Sequence, residues 1–244
     1  NNEVVIEGGS IDGAVYGGYA GEKPGDGYVA VANENIVTIS GGTVSGNVYG
    51  GYSKVGTADN NTVNISGTAD VTNATLFGSN KVDGTGNTLN IKGGWTGEAK
   101  SFNNFNEINI EEAQWGTAVA EVESLALNDT KVNVSTVHVA GDDTTFVANG
   151  SSVLIKSGET TGDVSSDSSV SVFKGVATIY DASVVKDGND IKIQLGEDAA
   201  SNPAYNPQVI VIGESRAAAT AFTNQGSELI ETGLDALARG NKAD

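Results

Sequence analysis

The sequence predicts an all-β chain: a parallel β-helix, a solenoid of stacked coils, ended by a C-terminal α-helix. Three observations predict it. The segment Gly8–Tyr19, Gly-Gly-Ser-Ile-Asp-Gly-Ala-Val-Tyr-Gly-Gly-Tyr, returns 33 residues later as Gly41–Tyr52, Gly-Gly-Thr-Val-Ser-Gly-Asn-Val-Tyr-Gly-Gly-Tyr. A period of tens of residues is the mark of a repeat architecture. An apolar-x-apolar triplet recurs through most of the chain, and after Gly213 the apolar period changes from that of a strand to that of a helix.

The triplets are Val4-Val5-Ile6, Val37-Thr38-Ile39, Val63-Asn64-Ile65, Leu89-Asn90-Ile91, Ile108-Asn109-Ile110, Val132-Asn133-Val134, Val153-Leu154-Ile155, Val170-Ser171-Val172 and Ile191-Lys192-Ile193. Their two-residue period is that of a strand with one buried face, and β-branched residues suit such a surface. The steps between them, 33, 26, 26, 19, 24, 21, 17 and 21 residues, are too long for hairpins, which return about every 8–12 residues. They suit coils stacked at roughly 4.8 Å with loops of variable length. Asn64, Asn90, Asn109 and Asn133 hold the outward middle position of consecutive triplets and would stack as an amide ladder.

The β-helix is expected over residues 1–195. Within it the glycine frame provides tight corners, residues 21–27 form an excursion, and Leu76-Phe77-Gly78-Ser79 is a degraded third copy of Val-Tyr-Gly-Gly. Residues 161–195 alternate more densely, which fits shorter coils or a hairpin that caps the open end. Residues 196–213 form a cap or junction containing Pro203, Pro207 and a short strand, Val209–Ile212. A helix is expected over 214–240, with Phe222, Gly226, Leu229, Ile230, Gly233 and Leu237 on one face and Gly240 as its stop.

Composition excludes several functions. The net charge of −18 opposes nucleic acid and anionic membrane surfaces. The absence of Cys removes disulfides and thiolate sites, and a single His removes His-based metal clusters. No Asp-rich calcium loop motif occurs, so no cofactor or metal is expected. The absence of Met suggests a processed or excised fragment, and no apolar run is long enough to span a bilayer.

For catalysis, Asp142-Asp143 is the one adjacent Asp pair, with His138, Lys131 and Lys156 around it. Acid–base cleavage of a polysaccharide needs such groups converging. Against that, Val137-His138-Val139 alternates so as to expose the imidazole, and Asp142-Asp143 after Gly141 reads as a turn. For binding, the aromatics Tyr19, Tyr52, Trp95 and Trp115 are the candidate ligand contacts. Tyr16 and Tyr49 are expected to stack inside the rod, while Trp95, Trp115, Phe102 and Phe105 could instead fill a wider core.

The Val-Tyr-Gly-Gly-Tyr frames, the triplets and the segment Val209–Ile230 together resemble the passenger region of bacterial autotransporters, the type V secretion proteins. The resemblance implies a right-handed β-helix displayed on the bacterial cell surface and tethered to the outer membrane. Residues 214–240 would be the linker helix threading the pore of the protein's own C-terminal β-barrel, which lies outside this chain. The implied function is that of a non-catalytic adhesin or structural stalk, with a host-surface glycan or protein, or another copy, as partner. The alternative is a β-helical carbohydrate-active enzyme, a polysaccharide lyase or hydrolase.

Overall fold

The computed structural model describes residues 1–22, 30–140, 146, 150–165, 169–175, 178–196, 204–205 and 207–240. The strands are β1 (Glu3–Ile11), β2 (Val15–Ala20), β3 (Ile36–Val44), β4 (Val48–Ser53), β5 (Thr62–Ile65), β6 (Val71–Ser79), β7 (Thr88–Ile91) and β8 (Gly97–Asn103). They continue as β9 (Glu107–Gln114), β10 (Ala120–Ala126), β11 (Lys131–Val139), β12 (Ser151–Thr161), β13 (Ser169–Lys174), β14 (Thr178–Asp187), β15 (Asp190–Leu195) and β16 (Ala204–Tyr205). One helix, α1 (Pro207–Gly240), follows. The fold is all-β and solenoid-like, with a C-terminal helix.

The chain passes back and forth between two parallel ladders. Strands β1, β3, β5, β7, β9, β11 and β13 pair in that order, all parallel. Strands β2, β4, β6, β8, β10 and β12 do the same. In the first ladder Val4, Val37, Val63, Leu89, Ile108 and Val132 stand in register, and so do Ile6, Ile39, Ile65, Ile91, Ile110 and Val134. All but the partly buried Val4 are core residues. Each such side chain withdrawn from water contributes about 1.5–3 kcal/mol. The second ladder supplies the facing wall with Val48, Leu76, Phe102 and Leu125 in register.

Three triplets leave the expected single column. Val153–Ile155 lies in β12, in the second ladder, with Ile155 opposite Ala120. Val170–Val172 lies in β13 with Val172 opposite Val137, a shifted register. Ile191–Ile193 lies in β15 and runs antiparallel to β12 and β14. A period of two fixes which face is buried but not which ladder a strand joins or in which direction. Direction here follows from the connection: Asp187 pairs with Asp190, so a two-residue turn with Gly188 at φ 63° makes a hairpin. Strand β14 pairs antiparallel with β13 while β15 pairs with β12, so the hairpin joins the ends of both ladders. It covers edges that would otherwise template aggregation.

The helix begins at Pro207 rather than at residue 214, and Val209–Ile212, expected as a strand, forms its first turns. Proline fits the first turn of a helix, where its missing N–H is not needed. The Ala-rich run then continues the helix. At 34 residues it is about 50 Å long. Arg216, residues 218–225 and 227–232, Leu234, Asp235 and Leu237 are exposed, and Gly226 is half-buried. Phe222, Leu229, Ile230, Leu234 and Leu237 are between 63% and 78% exposed. No helix among the described residues is long and apolar enough to cross a membrane.

Two amide ladders run along the stack. The outer one is the expected one: Asn90 Nδ2 donates to Asn64 Oδ1 (2.8 Å), Asn109 to Asn90 (3.0 Å) and Asn133 to Asn109 (2.8 Å). The other is buried. Asn35, Asn61 and Asn87 are at most 1% exposed. Asn35 Oδ1 accepts from Asn2 N and Nδ2, Asn61 Oδ1 from Asn35 N and Nδ2, and Asn87 Oδ1 from Asn61 N and Nδ2, all at 2.9–3.1 Å. Asn87 N then donates to Asn106 Oδ1. Each of these asparagines sits two residues before a triplet. The residue just before three of them, Glu34, Asn60 or Gly86, has φ of 54–66°, a left-handed corner.

Candidate binding face

The glycine frame couples the buried asparagines to an outward aromatic face. In an ordinary strand Tyr16 and Tyr19 would point to opposite sides. In β2 both point out, because Gly17 and Gly18 are both buried between them. A Cβ on Gly17 would lie 2.4 Å from Gly50 O, and one on Gly18 would lie 2.4 Å from the Asn35 carboxamide. The next coil repeats this: a Cβ on Gly50 would meet Gly78 O at 2.7 Å, and one on Gly51 would meet Asn61 Nδ2 at 2.5 Å. Only glycine allows the two ladders to converge this closely over the asparagines.

The result is a grid of rings. Tyr16, Tyr49 and Phe77 stack with centroids 5.3 and 4.7 Å apart and planes within 10°. Tyr19 and Tyr52 form a second stack at 5.3 Å, set edge-on to the first at 5.2–5.4 Å. These offset and edge-to-face geometries are the favourable ones for aromatic pairs. Phe77 falls opposite Tyr49 and Leu76 opposite Val48, so the degraded third copy occupies its expected rung. Withdrawal from water pushes the Tyr16 hydroxyl above the usual phenol range, and Tyr49, Tyr52 and Tyr19 add to it electrostatically.

The candidate residues divide. Tyr19 is 55% exposed and Tyr52 is half-buried beside it, both on the grid. The Tyr16–Tyr49 stack exists but lies outside the rod, not inside, since the inward positions belong to the glycines. Trp95 is buried and its indole N–H donates to Ala69 O at 2.9 Å, so it plugs the core and offers no ligand a face. Phe102 and Phe105 are likewise in the core. Trp115 is half-buried elsewhere, edge-on to Phe146 at 5.0 Å, with Phe146 also against Tyr180.

The groups considered for catalysis do not converge. Lys131 and His138 are at opposite ends of β11, about 23 Å apart along an extended strand. Lys156 is in β12 on the other ladder, paired with Glu121 at 2.9 Å. His138 is half-exposed between buried Val137 and Val139, as the alternation predicts, with Glu112 Oε1 3.8 Å from Nε2. Asp142 and Asp143 lie outside the described residues. Among the described residues no group of three or more His, Cys, Asp or Glu is placed to hold a metal ion.

Tyr16 and Tyr49, expected inside the rod, lie on the candidate face, and Phe77 joins them on the rung of the degraded third copy. The signal was the pair of glycines between the tyrosines, which cancels one step of the alternation. No protein-family model, no curated protein and no solved structure matches this chain.

Proposed function

We propose that this chain is the surface-displayed passenger of a bacterial autotransporter, a right-handed parallel β-helix that serves as a stalk and adheres through its aromatic face. The observation that carries the reading is the uncovered helix α1 at the hairpin-capped end of the ladders, with Phe222, Leu229, Ile230, Leu234 and Leu237 exposed. An apolar stripe of this kind calls for a cover. The proposed cover is the pore of the protein's own outer-membrane barrel. The two ladders with their amide stacks supply rigidity without disulfides.

The adhesive part rests on Tyr16, Tyr19, Tyr49, Tyr52 and Phe77. Aromatic rings on a rigid backbone, four of them phenols, give a large contact area at small entropic cost, suited to a glycan or protein surface. The test is to join the chain to an autotransporter barrel in a bacterial host. Antibody against the β body should label intact cells, and cells displaying Tyr19→Ala with Tyr52→Ala should lose about tenfold in binding to host matrix or glycans. An inserted barrel with the body inaccessible at the surface would contradict the reading of display. Display with no binding beyond that of the double variant would remove the adhesive face and leave a stalk.

A further inference from the structure

We infer that the end of the stack formed by β1 and β2 is a docking surface for one further coil of the same repeat, an extended segment carrying an asparagine and the Gly-Gly-x-x-x-Gly-x-Val-Tyr-Gly-Gly-Tyr frame. The inference is independent of surface display.

It rests on two glycines, Gly8 and Gly13, for which neither a positive φ nor a neighbouring atom within the described chain requires glycine. In the second coil a Cβ on Gly41 would lie 2.5 Å from Glu7 O, on Gly42 2.6 Å from Gly9 O and on Gly46 2.2 Å from Gly13 O. Those glycines are required because the first coil presses against them. Their counterparts by the 33-residue offset are Gly8, Gly9 and Gly13, of which Gly9 is already accounted for by its φ of 85°. A Cβ at any of these meets nothing within 4 Å. The first coil thus keeps the clearance of an interior coil at the very positions where another backbone would approach.

Three other features continue to the same end. Strands β1 and β2 terminate the sheet path, so their outer edges are unpaired among the described residues. In the buried ladder the Oδ1 atoms of Asn35, Asn61 and Asn87 each receive two N–H groups from the coil before, so Asn2 Oδ1 stands where the next two donors would land. Tyr16 and Tyr19 each stack on one ring only, Tyr49 and Tyr52, leaving their opposite faces open in the direction of stacking. A coil with Asn and Tyr-Gly-Gly-Tyr would extend all these ladders at once. A second copy cannot stack head to tail, because its other end is closed by the β14–β15 hairpin.

The experiment is the full chain carrying a second copy of residues 2–34 immediately before Asn2, compared with the unextended chain, each with and without Gly13→Val. Extension should slow hydrogen exchange of β1 and β2 amides about tenfold or more. G13V should leave the thermal midpoint of the unextended chain unchanged within about 1 °C, yet abolish the added protection in the extended chain. Gly8→Val, at a second open position, should behave in the same way and guards against a folding defect peculiar to residue 13. The inference is overturned if extension leaves β1 and β2 exchange unchanged, or if the valine variants are protected as well as their parent. Protection in the unextended chain that rises with protein concentration would assign the end to a second copy instead, and would also overturn it.

Discussion

Asn61→Asp is expected to lower the unfolding free energy by about 3–5 kcal/mol at neutral pH. The substitution keeps the shape and the acceptor that receives Asn35 N and Nδ2. It removes the amide donor to Asn87 Oδ1, 3.1 Å away, and sets a carboxylate oxygen against that carbonyl. Asn61 is 0% exposed, so neither oxygen can turn to water. Burial raises the pKa of such a carboxyl in the folded state. A raised folded pKa means that the variant's stability is retained below the ordinary carboxylate range and lost as pH rises. The protonated acid can donate to Asn87 Oδ1, so the deficit should shrink in acid. Denaturant melts of both chains across pH check this; equal stability at neutral pH would show that the buried ladder contributes nothing.

Gly51→Ala should cost about 3 kcal/mol or more. Its Cβ would lie 2.3 Å from Ala32 O and 2.5 Å from Asn61 Nδ2. The first is backbone, held by Ala32 N donating to Thr57 O, and the second belongs to the buried ladder. Relief requires β4 to move outward, which breaks the ring stacks at Tyr49 and Tyr52 as well. Near-ultraviolet circular dichroism should therefore lose its tyrosine signal together with stability. A loss below about 1 kcal/mol with the aromatic signal intact would show that the ladders tolerate separation.

Both predictions concern residues whose type was plain in the sequence and whose role was only partly so. The outer amides Asn64, Asn90, Asn109 and Asn133 were legible because the triplet period places them on the solvent side. The buried ones, Asn35, Asn61 and Asn87, were just as regular, two residues ahead of each triplet, but asparagine before a strand ordinarily reads as a turn. Burial becomes affordable only when donors and acceptors close on one another along the whole stack. The parallel pairing of the first six triplets followed from their spacing, whereas Ile191–Ile193 carries the same pattern in an antiparallel hairpin. Only the turn at Gly188-Asn189 distinguishes the two. Val209–Ile212 misled in the opposite sense: its β-branched residues favour a strand, yet Pro207 and the alanines downstream carry the helix through it. On the candidate face, Tyr19 and Tyr52 could be named in advance, but Tyr16 and Tyr49 were expected to stack inside the rod; the buried Gly17-Gly18 and Gly50-Gly51 pairs turn them outward. Trp95 was open to both readings, because size alone does not distinguish a contact residue from a core plug; its burial assigns it to the core.

Cysteine pairs across adjacent rungs test the account most directly, since the chain has no cysteine of its own. Asn64 and Asn90 are Cα partners on neighbouring parallel strands, about 4.8 Å apart, within the span of a disulfide at roughly 4.4–6.8 Å. Asn64 and Asn109 are two rungs apart, at about 9.6 Å, beyond that span. One coil per rung in register predicts that Asn64→Cys with Asn90→Cys closes to an intramolecular disulfide on oxidation, while Asn64→Cys with Asn109→Cys stays reduced. Closure of the 64–109 pair, or failure of the 64–90 pair, would contradict the stack on which every other conclusion stands.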